Sequence, residues 1–259
     1  MTTNETYIAL LKSLVGSSSQ EVAPRNQFTR ELLGFKTSIH MASPIVTLHG
    51  RELDYNFMAA ETHWILRGSR HLDHPDLQRN LNKYSDDGGT MRGAYGPPFI
   101  QQVEYVVETL NRDPDSRQAV MTLWERNPRE SKDIPCTVAL QFIIRGGCLH
   151  LNVFMRSSDA WLGWPYDIFS FSMMAQYVRT CLYDNVGIGC LQLFAGSQHL
   201  YVKKLEAAQD LIQSEVTGDN LVIDNTRLIH HGDIMNILDH IRNADRISVL
   251  SVMRKCLCQ

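Results

Sequence analysis

The sequence lacks a strong excess of charge of either sign. Its 259 residues include 25 Lys and Arg and 28 Asp and Glu, which gives a formal net charge of -3. A broad positive field that attracts nucleic acid needs a clear surplus of basic residues. We therefore expect no nucleic-acid partner, and we expect any anionic ligand to be held by a few arginines.

Long hydrophobic runs and linkers are also missing. No apolar segment approaches the ~18 residues that a membrane span requires, and residues 1–5 lack the basic start of a signal peptide. No internal repeat or low-complexity tract divides the chain. We expect a single domain over residues 1–259, with no membrane partner and a cytoplasmic location.

The cysteines show no recognisable pattern. Six are present, and neither they nor the histidines have the spacing of metal ligands. Without a secretory signal, reduced thiols are the default state. We therefore expect free thiols and no metal site.

Apolar periodicity predicts a mixture of helices and strands. It indicates helices over residues 53–66, from 97 to about 110, over 168–182 and over 199–212. A strand is predicted over 119–124, and a hairpin over 138–155 turns at Gly146-Gly147. Because the elements do not alternate as regular βαβ units, the pattern predicts an α+β fold.

Two segments carry candidate chemistry. Cys136 follows a proline at the start of the first hairpin strand, and Arg156 ends the second strand. The hairpin should bring Arg156 beside Cys136, and a nearby guanidinium favours the nucleophilic thiolate over the thiol. From these residues alone, a buried structural cysteine and a surface Arg–Asp pair remain alternatives.

Together these segments resemble the signature of the thymidylate synthase family. The matching stretches are Pro135-Cys136, Gln141-Phe142, Arg156-Ser157-x-Asp159 and the run Leu-Gly-x-Pro-Tyr-Asp-Ile over 162–168. In that family the nucleophilic cysteine precedes the arginine by twenty residues, as it does here. Further matches in the same order are Arg25, Glu61, Gly93-x-Tyr95-Gly96, Asp113-Pro-Asp-Ser-Arg117 and His199-Leu-Tyr201.

The resemblance implies a reaction and a set of roles. Cys136 would add to C6 of a pyrimidine nucleotide, so that C5 can attack the methylene of 5,10-methylenetetrahydrofolate. Glu61, acting through ordered water, Tyr95 and Asp167 would complete the catalytic set. The resemblance implies a phosphate site formed by Arg25, Arg117, Arg156 and Ser157. The sugar 3′-hydroxyl would bind to His199 and Tyr201. The folate would bind to Asp159, Gly163 and Leu81.

The resemblance also implies the architecture. The family fold is a mixed β-sheet flanked by helices, with the sheet at a two-fold dimer interface. Arg117 would then reach the phosphate site of the partner subunit, so that each site needs both copies of the chain.

Departures from the family pattern bear on the substrate. Asp167 stands where thymidylate synthases have an asparagine that reads uracil, and the same replacement marks the deoxycytidylate hydroxymethylases, which are phage-type members. A carboxyl group can accept from cytosine N4 and, with one proton in the pair, also bond N3. Thr137 replaces the usual histidine after the nucleophile and agrees with a cytosine substrate. The alternative interpretation of Asp167 is a cap for a helix that starts at Ile168.

Other departures bear on the product and on phosphate binding. Leu81 falls where the family has a tryptophan that covers the C5-methylene intermediate, so water could enter and give a hydroxymethyl group. The C-terminal segment 252–259 also differs from the family's hydrophobic closing tail. Gln118 replaces a second phosphate arginine, and Lys83, Arg92 and Lys36 are candidates to substitute for it.

The sequence therefore predicts a dCMP 5-hydroxymethylase that uses 5,10-methylenetetrahydrofolate and water. CMP hydroxymethylation, dCMP methylation, dUMP methylation and a non-catalytic nucleotide- or RNA-binding homologue remain as alternatives. Ser157 and the His199/Tyr201 pair favour deoxyribose. If a phage encodes the protein, the expected location is the host cytoplasm.

Overall fold

Six strands form one mixed sheet in the computed structural model, which describes residues 1–126, 129–183, 185–214 and 217–258. The strands are β1 Gln20–Val22, β2 Thr29–His40, β3 Val120–Thr122, β4 Thr137–Arg145, β5 Cys148–Asp159 and β6 Gly187–Tyr201. Their order across the sheet is β1-β2-β6-β5-β4-β3. Only β5 and β6 pair in parallel.

Eight α-helices accompany the sheet in the described part of the chain. They are α1 Thr3–Val15, α2 Tyr55–Leu66, α3 Pro75–Leu81, α4 Gly96–Arg112, α5 Trp164–Thr180, α6 Leu205–Gln213, α7 His231–Arg242 and α8 Val249–Leu257. No helix among the described residues is both long enough and apolar enough to cross a membrane. The mixture of one sheet with surrounding helices confirms the α+β prediction.

The predicted hairpin is present as β4 and β5. Arg145 pairs with Cys148 across a two-residue turn, and Gly146 and Gly147 both have positive φ, at 58° and 71°. Two adjacent residues with positive φ suit a tight hairpin turn, and glycine adopts a positive φ without a clash because it has no Cβ. The turn sets the register from Arg145 back to Ala139, and a bulge between Ala139 and Thr137 shifts the pairing by one residue before Cys136.

Helix α5 forms the centre of the core. Parallel strands need a crossover, and α5 supplies it between β5 and β6. Its residues Ile168, Phe169 and Phe171 are fully buried. At its start, Trp164 stacks on Tyr7 at 5.5 Å between ring centroids and donates from Nε1 to Thr37 Oγ1 at 3.0 Å. These contacts fix the first turn of α5 against α1 and β2.

The other face of the sheet carries exposed apolar groups. Phe154 on β5 stacks on Phe194 on β6 at 5.3 Å, and Phe154 is 38% exposed. Their chain neighbours Val153 and Leu193 are fully buried, as expected where side chains alternate between the two faces of a strand. Leu33 on β2 is 67% exposed.

The prediction of a helix over 199–212 was wrong at its start. Strand β6 continues through Tyr201, and α6 begins only at Leu205. The reason is pairing with β2, where Glu31 lies opposite His199 and Thr29 lies opposite Tyr201. The short polar stretch could follow either periodicity, and its partner strand decided the outcome.

The other predicted elements differ mainly at their ends. Helix α5 starts at Trp164, four residues earlier than predicted, because Pro165 suits a first helical turn. Helix α2 starts at Tyr55, where Asp54 Oδ1 accepts from Phe57 N at 3.0 Å. The pattern did not predict α1, β1, β2, α3, α7 or α8.

A buried amide ties the C-terminal region to the core. Asn56 on α2 donates from Nδ2 to the carbonyl oxygens of Ile241, Arg242 and Ala244, at 3.3, 3.2 and 2.8 Å. These carbonyls lie at and just after the C-terminal end of α7, where the helix supplies no i+4 partner; Ile241 O also accepts from Ala244 N, at 3.1 Å. We expect Asn56→Ala to lower the free energy of unfolding by about 1–3 kcal/mol, because buried acceptors lose their donor.

Urea denaturation measures this loss. Asn243→Ala is the matched control, since its exposed amide bonds only Asp239 O, at 2.8 Å. Equal stability of the two variants would show that α7 does not depend on Asn56.

Candidate active site

The hairpin brings Arg156 to the loop that carries Cys136. Arg156 N donates to Cys136 O at 2.8 Å. Its guanidinium also donates to Pro135 O and Ile134 O, each at 2.9 Å. Arg156 therefore holds the three residues that end at the candidate nucleophile, as the sequence predicted.

The electrostatic effect on the thiol differs from the expectation. Burial raises the pKa of Cys136, Arg156 and then Arg25 oppose this, and Asp167 and Asp133 add to the increase. The net direction is upward. Arg156 alone is thus insufficient to make the thiolate the dominant form, because desolvation of the charged sulfur outweighs it.

Cys136 opens into a cavity of about 140 Å³ that gathers residues from distant parts of the chain. Glu61 comes from α2, Leu81 from the end of α3, and Asp167 from the first turn of α5. The full lining is Glu61, Trp64, Ile65, Leu81, Met91, Gly93, Ala94, Tyr95, Asp133, Ile134, Pro135, Cys136 and Asp167. We refer to this as the thiol cavity.

The thiol cavity holds two carboxyl groups that resist ionisation. Burial and then the charge of Asp167 raise the pKa of Glu61 to about 8. Burial and then the charge of Asp159 raise the pKa of Asp167 to about 7. Near neutral pH both groups can therefore hold a proton and act as hydrogen-bond donors as well as acceptors.

Asp167 does not cap its helix. The N-cap of α5 is Gly163, and Asp167 N already donates to Gly163 O within the helix, at 3.0 Å. The capping interpretation was wrong because the helix starts before Asp167. A Cβ built on Gly163 would lie 3.2 Å from Asp167 Oδ2, so glycine at 163 leaves room for this carboxyl group.

Tyr95 closes one side of the thiol cavity. Its ring stacks on Phe171 of α5 at 6.1 Å. Burial, followed by the charges of Cys136 and Asp167, raises the pKa of its phenol well above the usual value, and the hydroxyl of Thr137 opposes the shift. The phenol is therefore neutral and available to donate a hydrogen bond.

A second, larger cavity of about 510 Å³ adjoins the first, and Ile134 lines both. We call it the cationic cavity. Its lining is Pro24, Arg25, Thr29, Glu31, Trp124, Ser131, Lys132, Ile134, Arg156, Ser157, Ser197, His199 and Tyr201. Arg25 and Asn26 have positive φ of 53° and 60°, which is uncommon for residues other than glycine and concentrates at functional sites.

Three predicted nucleotide-binding residues contact one another in the cationic cavity. Ser157 Oγ lies 3.3 Å from His199 Nδ1, and the His199 and Tyr201 rings meet edge to face at 5.4 Å. Burial lowers the pKa of His199, so the imidazole is neutral and can accept as well as donate. The group offers hydroxyl and imidazole partners to a polar ligand.

Asp159 lies at the junction of β5 and α5. Its Oδ1 accepts from Trp161 N at 2.8 Å and from Leu162 N at 3.0 Å. The carboxylate therefore shapes the turn that leads into Gly163 and Asp167.

The described chain does not bring Arg117 to either cavity. Arg117 is exposed in the loop between α4 and β3, where it lines a separate depression with Arg112, Asp113 and Gln118. Within one copy of the chain, Arg25, Arg156 and Lys132 are the cations of the cationic cavity.

The candidates to replace the arginine lost at Gln118 lie elsewhere. Lys36 lies over the ring of Phe194 at 5.5 Å, Lys83 lies over the ring of Tyr84 at 4.9 Å, and Arg92 pairs with Glu125 at 2.9 Å. None of the three lines the cationic cavity.

Sequence reasoning missed three charged residues in these cavities. Asp133 lines the thiol cavity, and Glu31 and Lys132 line the cationic cavity. Lys132 and Asp133 lie four and three residues before Cys136. This short distance from the nucleophile is a signal that could have drawn attention to them. Glu31 had no such signal, because only the pairing of β2 with β6 brings it opposite His199.

The described residues contain no group of three or more His, Cys, Asp and Glu arranged to hold a metal ion. The acidic residues of the thiol cavity can carry protons and form hydrogen bonds.

The raised pKa of Glu61 predicts a pH-dependent stability. At a pH below the ordinary pKa of 4.5, the Glu61 carboxyl is protonated in both the folded and the unfolded chain, so it does not affect stability. As the pH rises toward 8, the carboxyl ionises in the unfolded chain but stays protonated in the folded chain. Stability from this group is lost over that interval. We expect Glu61→Gln to exceed the wild type by roughly 2 kcal/mol at about pH 9, with the difference vanishing toward about pH 4.

Urea unfolding across this pH range tests the prediction. Glu52→Gln is the control, because Glu52 is exposed just before α2. Parallel pH profiles for Glu61→Gln and the wild type would contradict a carboxyl held in its neutral form.

Comparison with known proteins agrees with this geometry. A family model described as thymidylate synthase matches residues 5–238. The deoxyuridylate hydroxymethyltransferase of Bacillus phage SP01 is 28% identical to the chain over 260 residues, which cover 90% of this chain. The chain spans 65% of the length of that relative. Because the family match extends over nearly the whole chain and confirms the motif-based prediction, this protein belongs to the thymidylate synthase family.

Proposed function

We propose that the protein transfers a one-carbon unit from 5,10-methylenetetrahydrofolate to C5 of dCMP, with water completing a 5-hydroxymethyl group. The observation that carries this proposal is the presence of Cys136 and Asp167 in one cavity, beside a second cavity that holds Arg25 and Arg156. A nucleophile and a base-reading carboxyl group thus adjoin a site suited to a phosphate.

Cys136 supplies the covalent step. Its thiolate adds to C6 of the pyrimidine, and the electrons move to C5, which becomes nucleophilic. Because burial favours the thiol, the sulfur must lose its proton as the nucleotide binds. Arg156 and Arg25 are the cations that oppose the burial effect, and Arg156 holds the backbone of the loop throughout.

Asp167 recognises the base. With its pKa raised to about 7, the carboxyl group retains a proton over much of the neutral range. A neutral acid donates to cytosine N3 and accepts from the N4 amino group, which satisfies both polar atoms of that edge. N3 is the most basic atom of this edge of cytosine and can also take the proton itself, and this gives a charge-assisted pair.

Glu61 moves protons within the thiol cavity. Its pKa of about 8 makes it a proton donor at neutral pH, and its position in the thiol cavity gives it access to ordered water beside the base. General acid–base work of this kind is most efficient when the pKa of the group lies near the working pH.

We place the folate against the apolar wall of the thiol cavity. Trp64, Ile65 and Leu81 form this wall, and Trp64 Nε1 is buried with no hydrogen-bond partner among the described residues. A ring system with acceptor atoms fits such a surface, and Asp159 and Gly163 would also contact the folate. When bound, the folate supplies the methylene group; Leu81 leaves more room for water than an indole would.

The phosphate and sugar are assigned to the cationic cavity. Arg25 and Arg156 present guanidinium groups that match phosphate oxygens, and Ser157 adds a hydroxyl group. His199 and Tyr201 would hold the 3′-hydroxyl. Gln118 leaves this clamp with one arginine fewer than the family pattern.

A homodimer would complete the phosphate clamp. Strand β5 exposes the ring of Phe154, which stacks on Phe194 of β6, and exposed apolar side chains of this kind suit an isologous interface. Across such an interface Arg117 could reach the partner's cationic cavity, which explains why it contacts neither cavity of its own chain.

A second candidate is 5-hydroxymethylation of dUMP. The relative from Bacillus phage SP01 is named a deoxyuridylate hydroxymethyltransferase. A protonated Asp167 can also turn to accept from uracil N3–H and donate to O4. It pairs less strongly there, because O4 is a much weaker base than cytosine N3.

The substrate test compares tritium release from C5-labelled dCMP, CMP and dUMP in the presence of methylenetetrahydrofolate. We expect release from dCMP, with hydroxymethyl-dCMP identified by mass spectrometry and no rise in absorbance from dihydrofolate. Asp167→Asn should lower dCMP turnover by at least about 100-fold and raise dUMP turnover relative to it, because an amide cannot give a proton to cytosine N3 and therefore loses the charge-assisted pair.

The control for this test is Cys136→Ser, which should abolish turnover and keep nucleotide binding. Release from dUMP alone would favour the second candidate, and preference for CMP would replace deoxyribose with ribose. A methylated product would refute the role given to water. Full activity of Cys136→Ser would refute the nucleophile.

The shared site predicts complementation. Arg117→Ala and Cys136→Ser should each be weakly active or inactive alone. In an equal mixture, half of the dimers are mixed and carry one complete site, so we expect roughly a quarter of the wild-type activity. Activity that never exceeds the sum of the separate variants would exclude a contribution of Arg117 to the partner's site.

A further inference from the structure

Asp133 is a carboxyl group of the thiol cavity that the proposed mechanism does not use. It lies three residues before Cys136 and lines the same cavity. Burial raises its pKa, the amide of Gly93 opposes this, and the charge of Asp86 adds to the increase. A half-buried acid beside a nucleophile costs stability unless its contacts compensate.

Its main contact joins two distant segments. Gly93 N donates to Asp133 Oδ2 at 2.6 Å. A Cβ built on Gly93 would lie 3.0 Å from both Asp133 O and Pro135 N, and 3.1 Å from Asp133 Oδ1. The backbone at Gly93 therefore packs directly on the Cys136 loop, and a side chain there would force them apart.

The loop before Asp133 is anchored in turn. Asp86 accepts from Ser131 Oγ at 2.6 Å and from Lys132 N at 3.0 Å. Asp133 N donates to Ser131 Oγ at 3.0 Å. Hydrogen bonds thus connect residue 86 to residue 133 and then to Gly93, so the Asp133 carboxyl group has a defined position.

This connection spans the reacting centre. Tyr95 follows Gly93 by two residues, and its phenol lies beside Thr137, the residue next to Cys136. The sulfur and the phenol belong to segments forty residues apart, and the Asp133–Gly93 hydrogen bond links the backbone of one segment to a side chain of the other. A shift of that bond would move the phenol relative to the sulfur.

We propose that Asp133 is a positioning residue that fixes the phenol of Tyr95 relative to the sulfur of Cys136. The proposal rests on the function proposed above and adds a determinant of its rate. Asp133 does not touch the base; it acts through the Gly93 amide. Its carboxylate also faces the thiol, together with charges from other elements: Arg156 on β5, Arg25 before β2, and Asp167 on α5.

Asp133 has two effects that substitution can separate: its hydrogen bond to the Gly93 amide and its negative charge near the thiol. Asp133→Asn keeps an oxygen that accepts from Gly93 N and removes the charge. Asp133→Ala removes both. Asp86→Asn is the matched control, because it changes an exposed acid of the same network that lies outside the thiol cavity.

The first measurement is alkylation of Cys136 by iodoacetamide as a function of pH, followed by mass spectrometry of its peptide. Cys148 and Cys190 are half-buried and lie outside both cavities, so they serve as internal references. We expect Asp133→Asn to raise the alkylation rate of Cys136 about threefold at about pH 7.5, because a like charge near the thiolate is lost. Asp86→Asn should leave it within about 1.5-fold of the wild type.

The second measurement is turnover. Asp133→Ala should lower kcat at least about tenfold while the KM for the nucleotide changes less than about threefold, because positioning affects the chemical step more than ground-state binding. Asp133→Asn should retain kcat within about threefold, since it keeps the Gly93 contact. If Asp133→Ala does not fold, Asp133→Glu takes its place, because one more methylene group must displace Gly93; the same loss of kcat is expected.

The proposal is overturned if the alkylation profile and kcat of the Asp133 variants match those of the wild type. It is also overturned if Asn and Ala reduce kcat equally, since the hydrogen bond would then be irrelevant. Alkylation needs no substrate. A wild-type protein that turns over no pyrimidine nucleotide would refute the proposed function, whereas unaltered Cys136 reactivity in Asp133→Asn would count against Asp133 alone.

Discussion

The register of the β4–β5 hairpin is the constraint on which the candidate site depends. The two-residue glycine turn sets which residues of the strands lie opposite each other. Arg156 N then bonds Cys136 O at 2.8 Å, and the guanidinium holds the carbonyls of the two preceding residues. A slip of one residue would place Arg156 on the opposite face of the sheet and leave the loop without its support. The pairing shifts by one residue between Ala139 and Thr137, so the turn and this bulge together set the position of the sulfur.

The second general feature is an excess of acid in a small space. Glu61, Asp133 and Asp167 all line the thiol cavity with Cys136, and burial is the first cause of the raised pKa in each of the four. Burial therefore favours the neutral form of all four groups, and it brings the pKa of Glu61 to about 8 and that of Asp167 to about 7. The arrangement costs folding stability and provides acid–base chemistry, which is the usual relation between active sites and stability.

Positive charge is kept apart from these acids by the Cys136 loop. Arg25, Arg156 and Lys132 lie in the cationic cavity, and the acids Glu61, Asp133 and Asp167 lie in the thiol cavity. A nucleotide has the same division, with an anionic phosphate at one end and a base with a neutral polar edge at the other. Cys136 lies in the thiol cavity, two residues after Ile134, which lines both cavities, so C6 of a base bound for the proposed reaction would lie near their junction.

Local sequence determined the family, the hairpin, the α+β class and some of the residues that gather around Cys136, namely Glu61, Leu81, Tyr95 and Asp167. These follow from short-range facts: side-chain alternation, a Gly-Gly turn, and motifs whose spacing reflects one strand returning beside another. Tertiary structure alone decided that His199 and Tyr201 lie on a strand, because β2 pairs with them and the local pattern was ambiguous. It also decided that the Cys136 thiol keeps a raised pKa despite Arg156, and that Asp133 reaches Gly93. Burial and contacts between distant segments depend on the packing of the whole chain, and no local pattern contains that information.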